Sequence, residues 1–282
     1  MKRMKFFGVL FSVLSMFGLS SCLDDGEYDY TTMGSGFFRA SNVFNTWEFT
    51  DEYGYTLYPT NMSEVVEQLN TNDHYIYMMY SWDASTGVTD NNELEVECLT
   101  VLPVRRESTA QVEALPEESA NAPVISTDAS EGYSFGCFRK NVLFVPIRYW
   151  VNHPSDMTDA EWQNELDVHS FEIYYDENYD PVTSDHVGNN IMVLHLRHNI
   201  IDGSEDVERE NSYIEYLSVD MTTALERYRD AHNEEEPYEI RIKYDRNVGG
   251  SSMDGAFSYL NESGFRYSEY VRWYDNAMSQ GN

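Results

Sequence analysis

Basic residues are scarce in this 282-residue chain: 18 Lys and Arg stand against 49 Asp and Glu, for a formal net charge of −31. Such a field repels phosphate backbones and anionic headgroups, so nucleic acid is excluded as a partner, while cations and basic protein surfaces are favoured. Its plainest effect is solubility through mutual repulsion. Cysteine is rarer still, with three copies at Cys22, Cys98 and Cys137. The N-terminal apolar stretch from Phe6 to Phe17 is too short to span a bilayer. Catalytic signatures are also missing. There is no Gly-x-Ser-x-Gly elbow, Gly-rich phosphate loop, Cys-x-x-Cys or His-Glu-x-x-His, and Gly249-Gly250-Ser251-Ser252 lacks the closing glycine of an elbow. The expectation is a protein that is not an enzyme and uses no cofactor and no metal. A glycosidase-type carboxylate pair is recognised by its separation in the fold, so that alternative stays open.

What is present begins at the N-terminus. Lys2, Arg3 and Lys5 precede the apolar stretch, and Leu19-Ser20-Ser21-Cys22 closes it. A basic region, an apolar region, small residues and then Cys form a secretory signal over residues 1–21, whose cleavage leaves Cys22 first. This order resembles the lipidation signal of bacterial lipoproteins. It implies acylation of Cys22 and a membrane anchor in the envelope of a Gram-negative cell, as an outer-membrane lipoprotein that is periplasmic or surface-exposed. Cleavage removes three basic residues and leaves a charge of −34. Residues 22–34 read as a flexible tether, and the run Asp24-Asp25-Gly26-Glu27 resembles surface-export signals.

The length suggests two domains. Residues 35–106 contain strand candidates at Gly36–Phe44, Thr46–Phe49, Tyr53–Tyr58, His74–Trp82 and Glu93–Arg105, which suit a small barrel. Asp51-Glu52-Tyr53-Gly54 reads as a hairpin turn, and Ser63 as the N-cap of a short helical turn. Residues 107–130 are rich in Ser, Ala, Glu and Pro and read as a linker. Over residues 131–282, Glu239–Asp245 alternates without error and Asn141–Val151 is nearly continuous in apolar character. His169–Asp176, Asn190–His198 and Ser212–Met221 are further strands, and Thr158-Asp159-Ala160-Glu161 is a capping-box pattern ahead of a helix to Leu166. This spacing points to a β-sandwich, and the whole to an all-β protein.

Candidate sites are few. Tyr267, Tyr270, Trp273 and Tyr274 are the aromatics least explained by strand alternation, and they are the candidate partner surface, with core or edge packing as the alternative. His195 and His198 have metal-like spacing only in a helix; in a strand, neighbours three apart face opposite ways and do not converge. Asp176, Asn178 and Asp180 mimic the start of a calcium loop, but Pro181 stands where glycine is needed and Val187 where a bidentate Glu belongs. That segment and Asp202–Asp206 read as ordinary acidic turns. Alternation turns Leu94, Val96 and Cys98 inward, so Cys98 is expected as a small buried hydrophobe. A Cys98–Cys137 disulfide is the alternative that an oxidising compartment permits.

Ser21-Cys22-Leu23-Asp24-Asp25-Gly26 and Glu52-Tyr53-Gly54-Tyr55-Thr56-Leu57-Tyr58-Pro59 resemble the N-terminal part of NigD-like lipoproteins. Asn190–Asn199, Tyr216–Asp220 and Glu239–Tyr244 are similar to their C-terminal domain. The resemblance implies an OB-like barrel followed by an immunoglobulin-like β-sandwich, and an association with bacteriocin immunity or export support. It supplies no functional residues. The expected function is a lipid-anchored, non-enzymatic interaction module with a protein or glycan partner. A surface glycan-binding or glycan-processing lipoprotein is the alternative, and a structural or adhesin component is a third reading.

Overall fold

The computed structural model describes residues 31–43, 46–70, 73–89, 91–116, 120–127, 133–184, 190–201, 207–247, 253, 257–261 and 264–281. The signal peptide, Cys22, most of the tether, Val187 and the acidic turn Asp202–Asp206 lie outside them. The chain forms two compact units, one comprising residues up to Arg105 together with Asp275–Asn282, the other Arg106–Tyr274.

The first unit is a closed barrel. Its strands are β1 (Thr31–Val43), β2 (Thr46–Thr50), β3 (Thr56–Pro59), β4 (Tyr75–Asp83) and β5 (Glu93–Val104), in the order β1-β2-β3-β5-β4 and back to β1. Every pair is antiparallel except β3–β5. The turn between β2 and β3 is the expected one. The Asp51 carboxylate accepts from the Tyr53 and Tyr55 amides, and Gly54 adopts φ +91°, open to glycine at no steric cost. Period-two alternation fills the interior: Phe38, Phe49, Leu57, Ile76, Met78, Leu94, Val96 and Cys98 are all buried there. Gly34 lets β1 pass the Tyr80 ring, since a Cβ there would come within 2.8 Å of it.

Between β3 and β4 lies the short helix α1 (Met62–Val66). Its N-cap is Asn61 rather than Ser63, and the Asn61 side chain does not cap it. Instead its amide pairs with the backbone of Cys98, donating to the carbonyl at 2.9 Å and accepting from the amide at 3.0 Å, which ties the helix start to β5.

The second unit contains β6 (Arg106–Val112), β7 (Val124–Ser126), β8 (Gly136–Phe138), β9 (Val142–Val151), α2 (Asp159–Val168), β10 (His169–Tyr175), α3 (Pro181–Ser184), β11 (Ile191–Ile200), β12 (Asn211–Asp220), α4 (Thr222–Ala231), β13 (Glu239–Asn247), β14 (Phe257–Asn261) and the first part, to Tyr274, of α5 (Tyr267–Gly281). The sheet runs β11-β10-β6-β12-β9-β7-β13-β14, with β8 paired to β9, and a β11–β13 pairing joins the path on itself. Its interior is built as the alternation predicts: Ile240, Ile242 and Tyr244 of β13 are fully buried with Leu143, Val145 and Ile147 of β9 and Met192 and Leu194 of β11.

Two expectations need correction. Residues 107–130 are not simply a linker, because β6 is paired on both edges, parallel to β10 and to β12, and β7 pairs with β9 and β13. The β6 sequence Arg-Glu-Ser-Thr-Ala-Gln-Val buries little of its own surface, so its strand character comes from its neighbours rather than from apolar pattern. The sheet also differs from the antiparallel pairing expected of an immunoglobulin-like sandwich, since β6–β10, β6–β12, β11–β13 and β7–β13 are all parallel. The mostly β character holds. Among the described residues no helix is long and apolar enough to cross a membrane.

The capping box forms as read. The Thr158 hydroxyl accepts from the Glu161 amide at 3.3 Å, and the Glu161 carboxylate accepts from the Thr158 amide at 2.8 Å. Thr158→Ala is expected to cost about 1 kcal/mol, read as a lower denaturant midpoint at unchanged slope; an unchanged midpoint would show that α2 is held by packing alone.

Candidate functional site

The aromatic quartet falls on α5. Tyr267 is fully buried and donates from its hydroxyl to the Lys140 carbonyl at 2.9 Å. The Lys140 amide donates to the Tyr270 hydroxyl, and the Lys140 ammonium sits 5.6 Å from the Tyr274 ring centroid. Positions 267, 270 and 274 share one helical face, and that face packs onto the Arg139-Lys140 turn, where both residues have positive φ. Tyr270, Trp273 and Tyr274 are half-buried. The quartet is therefore first a packing device, and Tyr267 in particular is closed to a partner. The alternation failed there because the segment is helical.

No disulfide joins Cys98 and Cys137, each of which is buried in the core of its own unit, so the disulfide alternative is not realised. His195 and His198 do lie on a strand and diverge: His195 meets Tyr179 with ring centroids 4.7 Å apart, whereas His198 turns to His169. Asp176 and Asp180 spend carboxylate oxygens on the amides of Asn178 and Val182, as turn formers do. Among the described residues no group of three His, Cys, Asp or Glu is placed to hold a metal.

Sequence reading missed a buried polar network in the second unit. Arg209 grips Glu165 with Nε at 2.8 Å and a terminal nitrogen at 3.2 Å, a two-point contact. The Asn152 amide adds a third donor to Glu165 at 2.8 Å. His169 Nε2 lies 3.3 Å from the same carboxylate, His169 Nδ1 is 2.8 Å from His198 Nε2, and His198 Nδ1 is 3.0 Å from the Pro123 carbonyl. Alongside, the Glu215 carboxylate accepts from Arg106 and from the Tyr149 hydroxyl.

Counting hydrogens constrains the resting state. Two neutral imidazoles carry two N–H groups for three contacts. Both shorter contacts are satisfied if His169 donates to His198 and His198 to Pro123. If His169 instead donates from Nε2 to Glu165, one of the two shorter contacts is left without a hydrogen. Burial holds both imidazoles neutral, with His169 shifted down and His198 down to about 3. Burial opposes ionisation of Glu165, but its hydrogen bonds outweigh this and hold it at about 2. Glu165, His169, His198 and Arg209 are all buried, so this core of the network braces the fold rather than meeting a ligand.

One concavity that meets solvent is on the barrel. A groove of about 450 Å³ is lined by Asn42, Thr46, Trp47, Tyr58, Met62, Val66 and Leu69. That is within the size range of ligand sites, roughly 300–1,000 Å³. The Trp47 ring lies parallel to Phe49, with centroids 6.3 Å apart, and is itself only 6% exposed. The rim is acidic: burial raises the Tyr58 hydroxyl pKa, and the charges of Glu93 and Glu48 raise it further. Glu64 and Glu67 are exposed on and just beyond α1. Between residues 35 and 105 the only basic residues are Arg39 and Arg105, against eleven carboxylates. Arg105 faces Asp73 at 3.6 Å.

Two outcomes follow from the network. Glu165→Ala, which strands the Arg209 charge, is expected to destabilise the protein by about 3–5 kcal/mol, with Glu165→Ala/Arg209→Met recovering part of that loss in denaturant unfolding. The lowered histidine pKa values mean that below pH 6.5 the unfolded chain takes up protons that the folded chain refuses. The stability advantage of wild type over His198→Gln should therefore shrink as pH falls from 6.5 toward 3. The comparison cancels the relief of surface repulsion common to both proteins, and an advantage that stays constant would refute the assignment.

No family model matches the chain, and no curated protein sequence matches it. Solved structures do. A protein of Bacteroides fragilis named a "putative lipoprotein" superposes with a TM-score of 0.59 at 19% identity, covering 83% of this chain and 98% of that one. A protein of unknown function from Bacteroides vulgatus gives 0.43 at 14% identity, covering 82% and 90%. An uncharacterised protein from Parabacteroides merdae gives 0.47 at 12%, covering 80% and 95%. The chain shares its fold with the first of these over nearly the whole of that protein.

Proposed function

We propose that this chain is a lipid-anchored protein of the Gram-negative cell envelope that works as a non-enzymatic binding module, with the barrel groove as its binding face. The observation that carries the reading is the groove: a largely apolar concavity lined in part by Trp47, in a unit whose charged residues are mostly carboxylates. A complementary partner is a protein segment that offers an apolar side chain to Trp47 and basic groups to the rim. The anchor reading rests on Leu19-Ser20-Ser21-Cys22 and is supported by the name of the B. fragilis protein that shares the fold. The strand order, the parallel β3–β5 pair and the helix after β3 support describing the barrel as OB-type, a class that binds through the face of its second and third strands. Trp47 and Tyr58 lie on those strands.

Each half has its own test. Cys22→Ser should abolish acylation and move the protein from the membrane to the soluble fraction; membrane retention of the variant would defeat the anchor reading. A photo-crosslinking residue at Leu69, expressed in the native host, should give a discrete adduct with a basic protein that is lost in Trp47→Ala. The same residue at Leu99, an exposed β5 position, should give none. Equal labelling from both positions, or adducts indifferent to Trp47→Ala, would remove the groove from consideration.

A further inference from the structure

A second concavity, of about 200 Å³, opens in the Arg106–Tyr274 unit between the end of β10, the turn 176–180, β11 and α4. Its wall includes Tyr228, which is 2% exposed and stacks on His232 with ring centroids 3.9 Å apart. The Tyr228 hydroxyl is buried and has no hydrogen-bond partner. Native proteins leave few such groups, and one that lines a pocket is served when the pocket is filled.

The surroundings say by what. The Tyr175 and Tyr228 rings are 6.5 Å apart. Burial together with the charges of Glu177 and Asp176 pushes the Tyr175 hydroxyl up to about 12, and burial followed by Tyr175 and Glu235 pushes that of Tyr228 up. Tyr175, Tyr179 and Tyr228 line the cavity together with Asp176, Glu177 and Asp180, and among the described residues no Lys or Arg lines it. The nearby Lys243 donates to the Tyr179 hydroxyl, so the unserved acceptor is Tyr228. An anion is repelled here. A hard divalent ion needs six or more oxygens, and Asp176 and Asp180 are engaged with their own turn. The remaining lining includes Ile191 and Val193, which suits an apolar stem.

We propose that this pocket binds a small primary ammonium ion with a short apolar stem, the nitrogen donating to the Tyr228 hydroxyl oxygen in the field of Glu177 and Asp176, and the stem lying against Ile191 and Val193. At about 30 Å³ per water the cavity holds roughly six or seven waters, which corresponds to a ligand of about six to eight heavy atoms. The aromatic walls add cation–π attraction. This site is independent of the barrel groove and stands whether or not that groove binds a protein.

Calorimetric titration of the full mature chain with n-pentylammonium chloride tests it, with n-pentanol and potassium chloride as comparators. Saturable binding to pentylammonium is expected, about tenfold or more tighter than to pentanol, with none to potassium. Tyr228→Phe keeps the ring and its stack, and its melting temperature should stay at the wild-type value; it should weaken binding about fivefold, as the loss of one hydrogen bond does. Glu177→Gln, at an exposed position, should weaken it similarly. Equal affinity for pentanol, a response matched by potassium, no saturation by about 50 mM, or indifference to Tyr228→Phe would each overturn the proposal.

Discussion

The contact on which the second unit turns is the two-point grip of Arg209 on Glu165. Glu165 sits near the end of α2, Arg209 just before β12, Asn152 just after β9, His169 at the start of β10, His198 on β11 and Pro123 ahead of β7. One carboxylate, through its donors and the histidine pair, ties six segments at one end of a sheet that closes on itself. An apolar cluster of equal volume would hold them about as firmly, because desolvation consumes most of what a buried ion pair returns. What the pair adds is direction: a carboxylate with three donors tolerates one arrangement, whereas interdigitated aliphatic side chains tolerate several. With parallel and antiparallel pairings mixed in one ring, such discrimination bears on register.

The network also shapes the surface. Arg209 and Arg106 are among only 18 basic residues, and both are turned inward to Glu165 and Glu215. Each pair removes one charge of either sign, so the net charge is untouched, but positive groups that would break up the outer field are used internally. The exterior is more uniformly negative than composition alone conveys. On the barrel the effect is plainest, because Arg105 already faces Asp73 and Arg39 alone remains among the carboxylates. On the proposed binding reading, a partner for that face brings its own positive charge, and its association is steered at long range and weakened by salt.

The fold was legible where local pattern and tertiary role coincide. β13 alternates because Ile240, Ile242 and Tyr244 fill the core while Glu239, Arg241, Lys243 and Asp245 take the other face, β9 is nearly all apolar because it is buried along most of its length, and Thr158 with Glu161 announces α2 from four residues. It was illegible where the neighbours decide. β6 is polar and small, and it is a strand only because β10 and β12 flank it. α5 hid behind aromatics whose helical spacing, 267, 270 and 274, is visible once period two is set aside. The divergence of His195 and His198 was readable from strand geometry; the meeting of His198 with His169 was not, because it joins separate strands. The groove likewise collects residues from Asn42 to Leu69 that share no local motif.

The same logic explains why Tyr228 stands out. Among the large buried side chains, most of the polar ones have their hydrogen bonds: Tyr149 gives its hydroxyl to Glu215, Tyr267 to Lys140, Arg209 its guanidinium to Glu165. A fold that closes its polar account so thoroughly in one region has little reason to leave a phenol unserved in another, where Tyr228→Phe would cost nothing in packing. The ring alone would satisfy the stack on His232 and the contact with Tyr175. The hydroxyl has no partner among the described protein groups, and the cavity it lines also carries Tyr175 and the carboxylates of Asp176 and Glu177, which favour a positive hydrogen-bond donor over a negative ligand.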